Sequence, residues 1–239
     1  MEQIESAFRE LRLQGMGRAW QSMTETGSHH KLSLNEGLQI MLQSEKELRK
    51  NNRFDRLRKG AKFRYASSIE EINCESSRGL VQSQIAEYAT CNYIKNGQSI
   101  LITGATGCGK SFIASALGHQ ACNNGYRVAY YSFQKLMLAL KTARIDGSIY
   151  RLFAQIAKVD LLILDDFGLT HVDPSIQPDF MEIIEDRHSY KSTIIASQLP
   201  VSKWYEIISE ATIADAILDR LVHTSHRIEL KGESLRKKL

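Results

Sequence analysis

Residues 101–111 read Leu-Ile-Thr-Gly-Ala-Thr-Gly-Cys-Gly-Lys-Ser and match the pattern G-x-x-x-x-G-K-[ST]. The spacing restricts the fold strongly. An apolar strand over 99–103 must run into a glycine loop, and a helix must open near Lys110. Gly104, Gly107 and Gly109 let the backbone turn tightly and bring N–H groups close to an anion. The helix start adds partial positive charge. The loop therefore predicts binding of a nucleoside triphosphate by Gly104, Ala105, Thr106, Gly107, Cys108, Gly109, Lys110, Ser111 and Phe112. Lys110 is expected on the β- and γ-phosphates, and the Ser111 hydroxyl on Mg²⁺.

About fifty residues downstream, 161–168 read Leu-Leu-Ile-Leu-Asp-Asp-Phe-Gly. Four apolar residues fit a strand buried on both faces. Two carboxylates fall at its C-terminal end, where ligands collect in open α/β sheets. Asp165 is assigned to the metal, mainly through its water, and Asp166 to polarising the attacking water.

The remainder alternates strand and helix, the signature of an α/β domain. Strands are expected near 99–103, 127–132, 159–165, 192–197 and 225–230. Helices are expected near 80–94, 110–123, 133–145, 148–158, 175–189, 201–207 and 212–222. The first sixty residues look all-helical. Ile4, Phe8 and Leu11 share a face, as do Met16, Trp20 and Met23, with a bend expected at Gly15 and Gly17. Ser33 with Glu36 predicts a capping box. Leu34, Leu38, Met41, Leu42 and Leu48 form an apolar stripe expected to pack within the module. The predicted organisation is a helical module over 1–64, a serine-containing linker over 65–79 and an α/β module over 80–239 with no separate C-terminal lid.

At 239 residues and 43% apolar, the chain can build one medium core with a small appendage. No secretory pattern or membrane-length apolar stretch occurs. Cys74, Cys91, Cys108 and Cys122 show neither metal-ligand spacing nor a paired framework, which suits a reduced, cytoplasmic protein. Adjacent His29 and His30 read as loop residues.

The net charge of +4 is unevenly spread: Lys46 to Arg64 carries nine positive residues against two negative. Such a block suits a polyanion, because neutralising phosphates releases counterions. Candidate nucleic-acid contacts are Arg53, Arg56, Arg58 and Lys59, with Lys135, Lys141, Arg144 and Arg151 beyond the second strand. They carry no sequence-reading pattern.

Together these stretches resemble an AAA+ ATPase, and in particular the IstB-like group of transposition helper ATPases, relatives of the DnaC-type helicase loaders. The resemblance covers nearly the whole chain. It rests on Leu-Arg-Leu-Gln-Gly-Met (11–16), the basic helix, the phosphate loop, the 161–168 segment and a tail. The tail reads Ala-Ile-Leu-Asp-Arg-Leu (216–221), His-Arg-Ile-Glu-Leu (226–230) and Gly-Glu-Ser-Leu-Arg (232–236). It implies a five-stranded parallel P-loop NTPase sheet with flanking helices, preceded by a small all-helical N-terminal domain. It implies Gln198, where Asn is usual, as the polar sensor beside the γ-phosphate. Arg220 is implied as an arginine finger acting on a neighbouring copy, and Arg236 as a second phosphate sensor. Asp166 stands where the family usually has Glu, which implies slow hydrolysis. The implied partners are ATP with Mg²⁺, double-stranded DNA, a cognate transposase and further copies of the chain in a ring or helical assembly; no membrane is implied. The alternative is a replicative helicase loader of the DnaC type.

Overall fold

A computed structural model describes residues 2–223 and 225–235. The chain divides into two compact units, one up to Arg56 and one from Leu57 on.

The first unit holds α1 (Glu2–Glu10), α2 (Gln14–Glu25) and α3 (Leu34–Ala61), with the boundary falling inside α3. The expected bend lies elsewhere than predicted. Gly15 and Gly17 are both inside α2, and the chain turns at residues 11–13 with Arg12 left-handed at φ 57°. Gly15 serves a close approach instead. A Cβ there would stand 2.4 Å from Glu45 Cα and 2.6 Å from Ser44 O. Glu45, 7% exposed, accepts from the N–H groups of Gly15 (2.6 Å) and Met16 (3.2 Å). It thus satisfies orphan donors at the start of α2. The capping box forms as expected: Ser33 N–H donates to Glu36 Oε2 (2.8 Å), and Glu36 N–H donates to Ser33 Oγ (3.3 Å).

The expected internal packing of the α3 stripe is not found. Leu34 is 89% exposed, and Leu38 and Leu42 are also exposed. Two short helices before α3 present too little apolar surface to cover it.

The second unit is built on β1 (Ser99–Gly104), β2 (Val128–Ser132), β3 (Leu161–Phe167), β4 (Ser192–Ser197) and β5 (Ser225–Leu230). All pair in parallel, in the order β2-β3-β4-β1-β5. Ile100–Ile102, Leu161–Leu164 and Ile194–Ala196 are almost fully buried, as strands covered on both faces require. Leu101, Leu162, Leu164 and Ile195 belong to the core cluster built with α7 (Phe133–Ile145), α8 (Ile149–Ala157), α9 (Gln177–Arg187) and α10 (Ala211–Val222). On the alternate side-chain set, α6 (Lys110–Asn123) comes so close that a Cβ at Gly118 would meet Ile163 at 2.7 Å.

All five strands fall within two residues of expectation, and β3 differs most: it continues through both carboxylates to Phe167, with a register shift between Leu164 and Phe167. The helix expected over 80–94 is two, α4 (Gln82–Ala89) and α5 (Asn92–Lys95), broken at Cys91 with φ 59°. The segment Val201–Ile207 is 3-10 rather than α. Arg187, 2% exposed, donates to Val159 O (3.0 Å) and Ser192 O (2.5 Å), pinning α9 to the entrances of β3 and β4. Burial pushes its guanidinium down to about 10.

Candidate nucleotide site

The strand order decides the site. β3, β4 and β1 are neighbours, so their C-terminal ends line up the carboxylates, Gln198 and the phosphate loop along one edge. A cavity of about 410 Å³ opens there, lined by Lys110, Ser111, Asp166, Gln198, Arg64 and Leu235 among others. That volume suits a small-molecule ligand.

Gly104, Gly107 and Gly109 have φ of 147°, 81° and 102°, where side chains are disfavoured. Gly104 also meets β5 closely, since a Cβ there would stand 2.5 Å from Leu230 O. Gly109 is the N-cap of α6, so the loop delivers its N–H groups at a helix start. Lys110 is 6% exposed, and its Nζ donates to Gly104 O (2.9 Å) and Ala105 O (2.8 Å). Cys108 is buried, its Sγ against Ala105 O at 2.9 Å.

Ser111 Oγ donates to Asp165 Oδ1 at 2.9 Å, although 54 residues separate them. Thr106 Oγ1 donates to Gln198 Oε1 at 2.7 Å, so the Gln198 amide touches the loop directly. Gln198 is held by its neighbours. Ser197 Oγ donates to Phe167 O (2.8 Å), and buried Trp204 donates to Leu199 O (3.0 Å). Asp166 is left-handed at φ 58°, a costly conformation for a non-glycine residue and one that gathers at functional sites. Its N–H donates to Asp165 Oδ1 (2.9 Å).

Three residues that the sequence reading gave no role in the site are part of it. Tyr130 on β2 donates its hydroxyl to Asp165 Oδ2; burial first and then that carboxylate push the phenol well above its ordinary range. Arg64, counted in the sequence only as part of the basic block, places Nη1 2.9 Å from Asp166 Oδ2 and 3.4 Å from Asp165 Oδ2. Arg78 donates to Cys108 O in the loop (2.9 Å). Only Arg64 left a trace, as a cation closing a charge block; Tyr130 reads as an ordinary strand aromatic.

Arg220 does not join this edge. It pairs through Nε with Glu185, donates from Nη1 to Ala216 O (2.9 Å), and lies beside Ser99, Lys191 and Thr193 near the entrances of β1 and β4. Arg236 lies outside the described residues. Leu235, just before it, donates its N–H to Gly107 O at 3.0 Å. Among the DNA candidates, Arg53, Arg56, Arg58, Lys59, Lys135 and Arg151 are exposed. Lys141 is paired with Asp173 (3.0 Å), and Arg144 is paired with Asp179, which is 1% exposed. No helix among the described residues is long and apolar enough to cross a membrane.

A phosphate loop at the tip of β1, with two adjacent carboxylates at the end of β3 two strands away, defines a P-loop ATPase of the AAA+ kind. Comparison with known proteins narrows this. The family model described as IstB-like ATP binding protein matches residues 6–239, and the chain belongs to that family. It is 41% identical over 225 residues to the putative insertion sequence ATP-binding protein y4pL of Sinorhizobium fredii, covering 94% of this chain and 92% of that protein. It is 42% identical over 198 residues to the insertion sequence IS1162 putative ATP-binding protein of Pseudomonas fluorescens, covering 82% and 86%. Among solved structures, the fold resembles DnaI (TM-score 0.59, 18% identity, 70% of this chain and 92% of that one). It also resembles the DnaC helicase loader (TM-score 0.57, 16% identity, 70% and 98%).

Proposed function

We propose that this protein is an ATP-dependent DNA-binding helper of transposition. It assembles on target duplex, recruits or stimulates a transposase, and is released when ATP is hydrolysed. The observation that carries the reading is the near-full-length match to relatives named as insertion sequence ATP-binding proteins. The likeness to DnaC and DnaI is one of fold alone and does not favour a loader.

The site residues take the following parts. Backbone N–H groups of Gly107 to Ser111 and the Lys110 ammonium bind the phosphates. Ser111 and Asp165 are hard oxygen donors 2.9 Å apart, a set that fits Mg²⁺, which would neutralise charge on the phosphates. Asp166 aligns the attacking water. As an Asp it reaches less far than a Glu, which slows hydrolysis and suits a timer. Gln198, held on Thr106, faces the terminal phosphate.

Arg220 serves a neighbouring copy. It sits near the strand entrances while the loop sits at the strand exits, so its reach toward nucleotide lies across an interface. ATP held between two copies then favours the assembled state by linkage, and head-to-tail repetition gives a ring or a helix. DNA contact falls to Arg53, Arg56, Arg58, Lys59, Lys135 and Arg151; Lys141 and Arg144 contribute less because their charge is met by Asp173 and Asp179. Mobility shift with duplex DNA at low salt tests the reading. Binding should strengthen with ATP and Mg²⁺ and fall steeply with added salt. Binding indifferent to nucleotide, or absent, refutes it.

A further inference from the structure

We infer that Arg64 is a resident cation of the carboxylate pair which magnesium-nucleotide must displace, and that it thereby sets the Mg²⁺ requirement for nucleotide binding. The inference rests on the proposed metal role of Asp165.

Every acceptor direction of Asp165 is already used. Oδ1 receives Ser111 Oγ and Asp166 N–H (both 2.9 Å); Oδ2 receives the Tyr130 hydroxyl and Arg64 Nη1 (3.4 Å). A carboxylate offers about four such directions, so a hydrated metal reaching Asp165 must replace one donor. Ser111 stays, because it is itself a metal ligand in this reading, and Asp166 N–H is fixed by the backbone. Tyr130 is largely buried on a strand. Arg64 makes the longest of the four contacts, and its side chain is 42% exposed. It is the donor that can leave.

Its placement is built into the fold. On one side of Arg64, the Phe63 ring packs on α6, 4.1 Å from the His119 ring and against Gly118, where a Cβ would meet Phe63 at 2.4 Å. On the other side, His119 Nε2 donates to Tyr65 O (3.0 Å), and Ser67 Oγ donates to Phe112 O (3.2 Å). The guanidinium lies over the Tyr65 ring, 5.6 Å from its centroid. Backbone anchored on both sides to the helix that begins with Lys110 and Ser111 therefore aims this arginine across to β3. Electrostatics gives the reason: two adjacent carboxylates, one of them 1% exposed, repel each other unless a cation lies between them. Arg64 supplies that charge when the metal does not.

The test is binding of a fluorescent ATP analogue to the full chain, titrated with Mg²⁺ at fixed nucleotide. Arg64→Ala should lower the half-saturating Mg²⁺ by about two- to fivefold, the range expected of a partly exposed pair. Arg64→Gln keeps the stem over Tyr65 and should move it the same way, which covers a poorly folded Ala variant. Arg64→Lys should stay near the parent. An unchanged or raised Mg²⁺ requirement in both Arg64→Ala and Arg64→Gln overturns the inference while leaving the nucleotide site intact. Failure of the parent to bind the analogue at any Mg²⁺ overturns the site reading and the inference together.

Discussion

Asp165 shows how much depends on single donors. It is almost completely buried, and the groups that hold it come from four parts of the chain: α6, β2, β3 itself and the segment before Ser67. Removing one partner of a buried charged group costs more than an ordinary hydrogen bond. Tyr130→Phe should therefore destabilise the nucleotide-free protein by about 1.5 kcal/mol. For a unit of this size that lowers the thermal midpoint by several degrees, and calorimetry would detect it. An unchanged midpoint would mean that the hydroxyl contributes nothing. At this scale the sequence disclosed the residues whose spacing is local: the three glycines, Lys110, Ser111 and the two acids. It concealed Arg64, Arg78 and Tyr130, because their partners lie 101, 30 and 35 residues away and no periodicity records such a pairing.

At the scale of elements, α2 and α3 meet through a glycine. Alanine is the better helix former by about 1 kcal/mol, so in open space Gly→Ala stabilises. At Gly15 the added Cβ would meet only backbone atoms of Ser44 and Glu45, which have no rotamer to yield. Gly15→Ala should destabilise the first unit by about 1–3 kcal/mol. Gly37→Ala on α3, with nothing within 4 Å, should stabilise it by up to about 1 kcal/mol. Denaturant unfolding of the pair gives opposite signs; the same sign for both would contradict the close approach.

The segment carrying Arg64 makes a second prediction. Burial lowers the His119 pKa below its ordinary 6.5, against the pull of the Tyr65 carbonyl and with help from Arg58. The folded state thus binds fewer protons than the unfolded one just below pH 6.5. Its contribution to stability is complete above that pH and is lost as pH falls through the lowered folded value. His119→Gln removes the titration, so between pH 7 and 5.5 the parent should lose more unfolding free energy than the variant. Equal losses would contradict it.

Patterning made these elements legible where both faces of a strand or one stripe of a helix are apolar, most plainly at Leu161–Leu164; β5, with only Ile228 and Leu230 buried, carries a weaker pattern. The bend at residues 11–13 was misread because a glycine required by a neighbouring helix looks the same in sequence as a glycine required by a turn. The α3 stripe was misread because periodicity reveals an apolar face and not what covers it.

For the whole molecule, the position of Arg220 matters most. Held by Glu185 near the strand entrances, this arginine lies away from the cavity at the strand exits, and the role proposed for it on a neighbouring copy can be tested directly. Arg220→Ala should leave nucleotide binding close to the parent value and reduce ATP turnover by about 10³-fold or more, as loss of a finger does in other NTPases. Steady-state turnover beside equilibrium binding separates the two. Parent-level turnover would remove Arg220 from the reaction and, with it, the argument for assembly around ATP.

The amino-acid order alone determined the class of fold, the phosphate loop and the adjacent acids at the end of β3, because each is written in contiguous residues. Tertiary structure decided everything that depends on which strands become neighbours. The order β2-β3-β4-β1-β5 set Gln198 between loop and carboxylates and let Arg64 and Tyr130 close on Asp165, while the packing of α10 left Arg220 at the entrances of β1 and β4. The physical reason is that burying both faces of a parallel sheet fixes strand neighbours through packing summed over the whole core, a quantity no local run of residues contains.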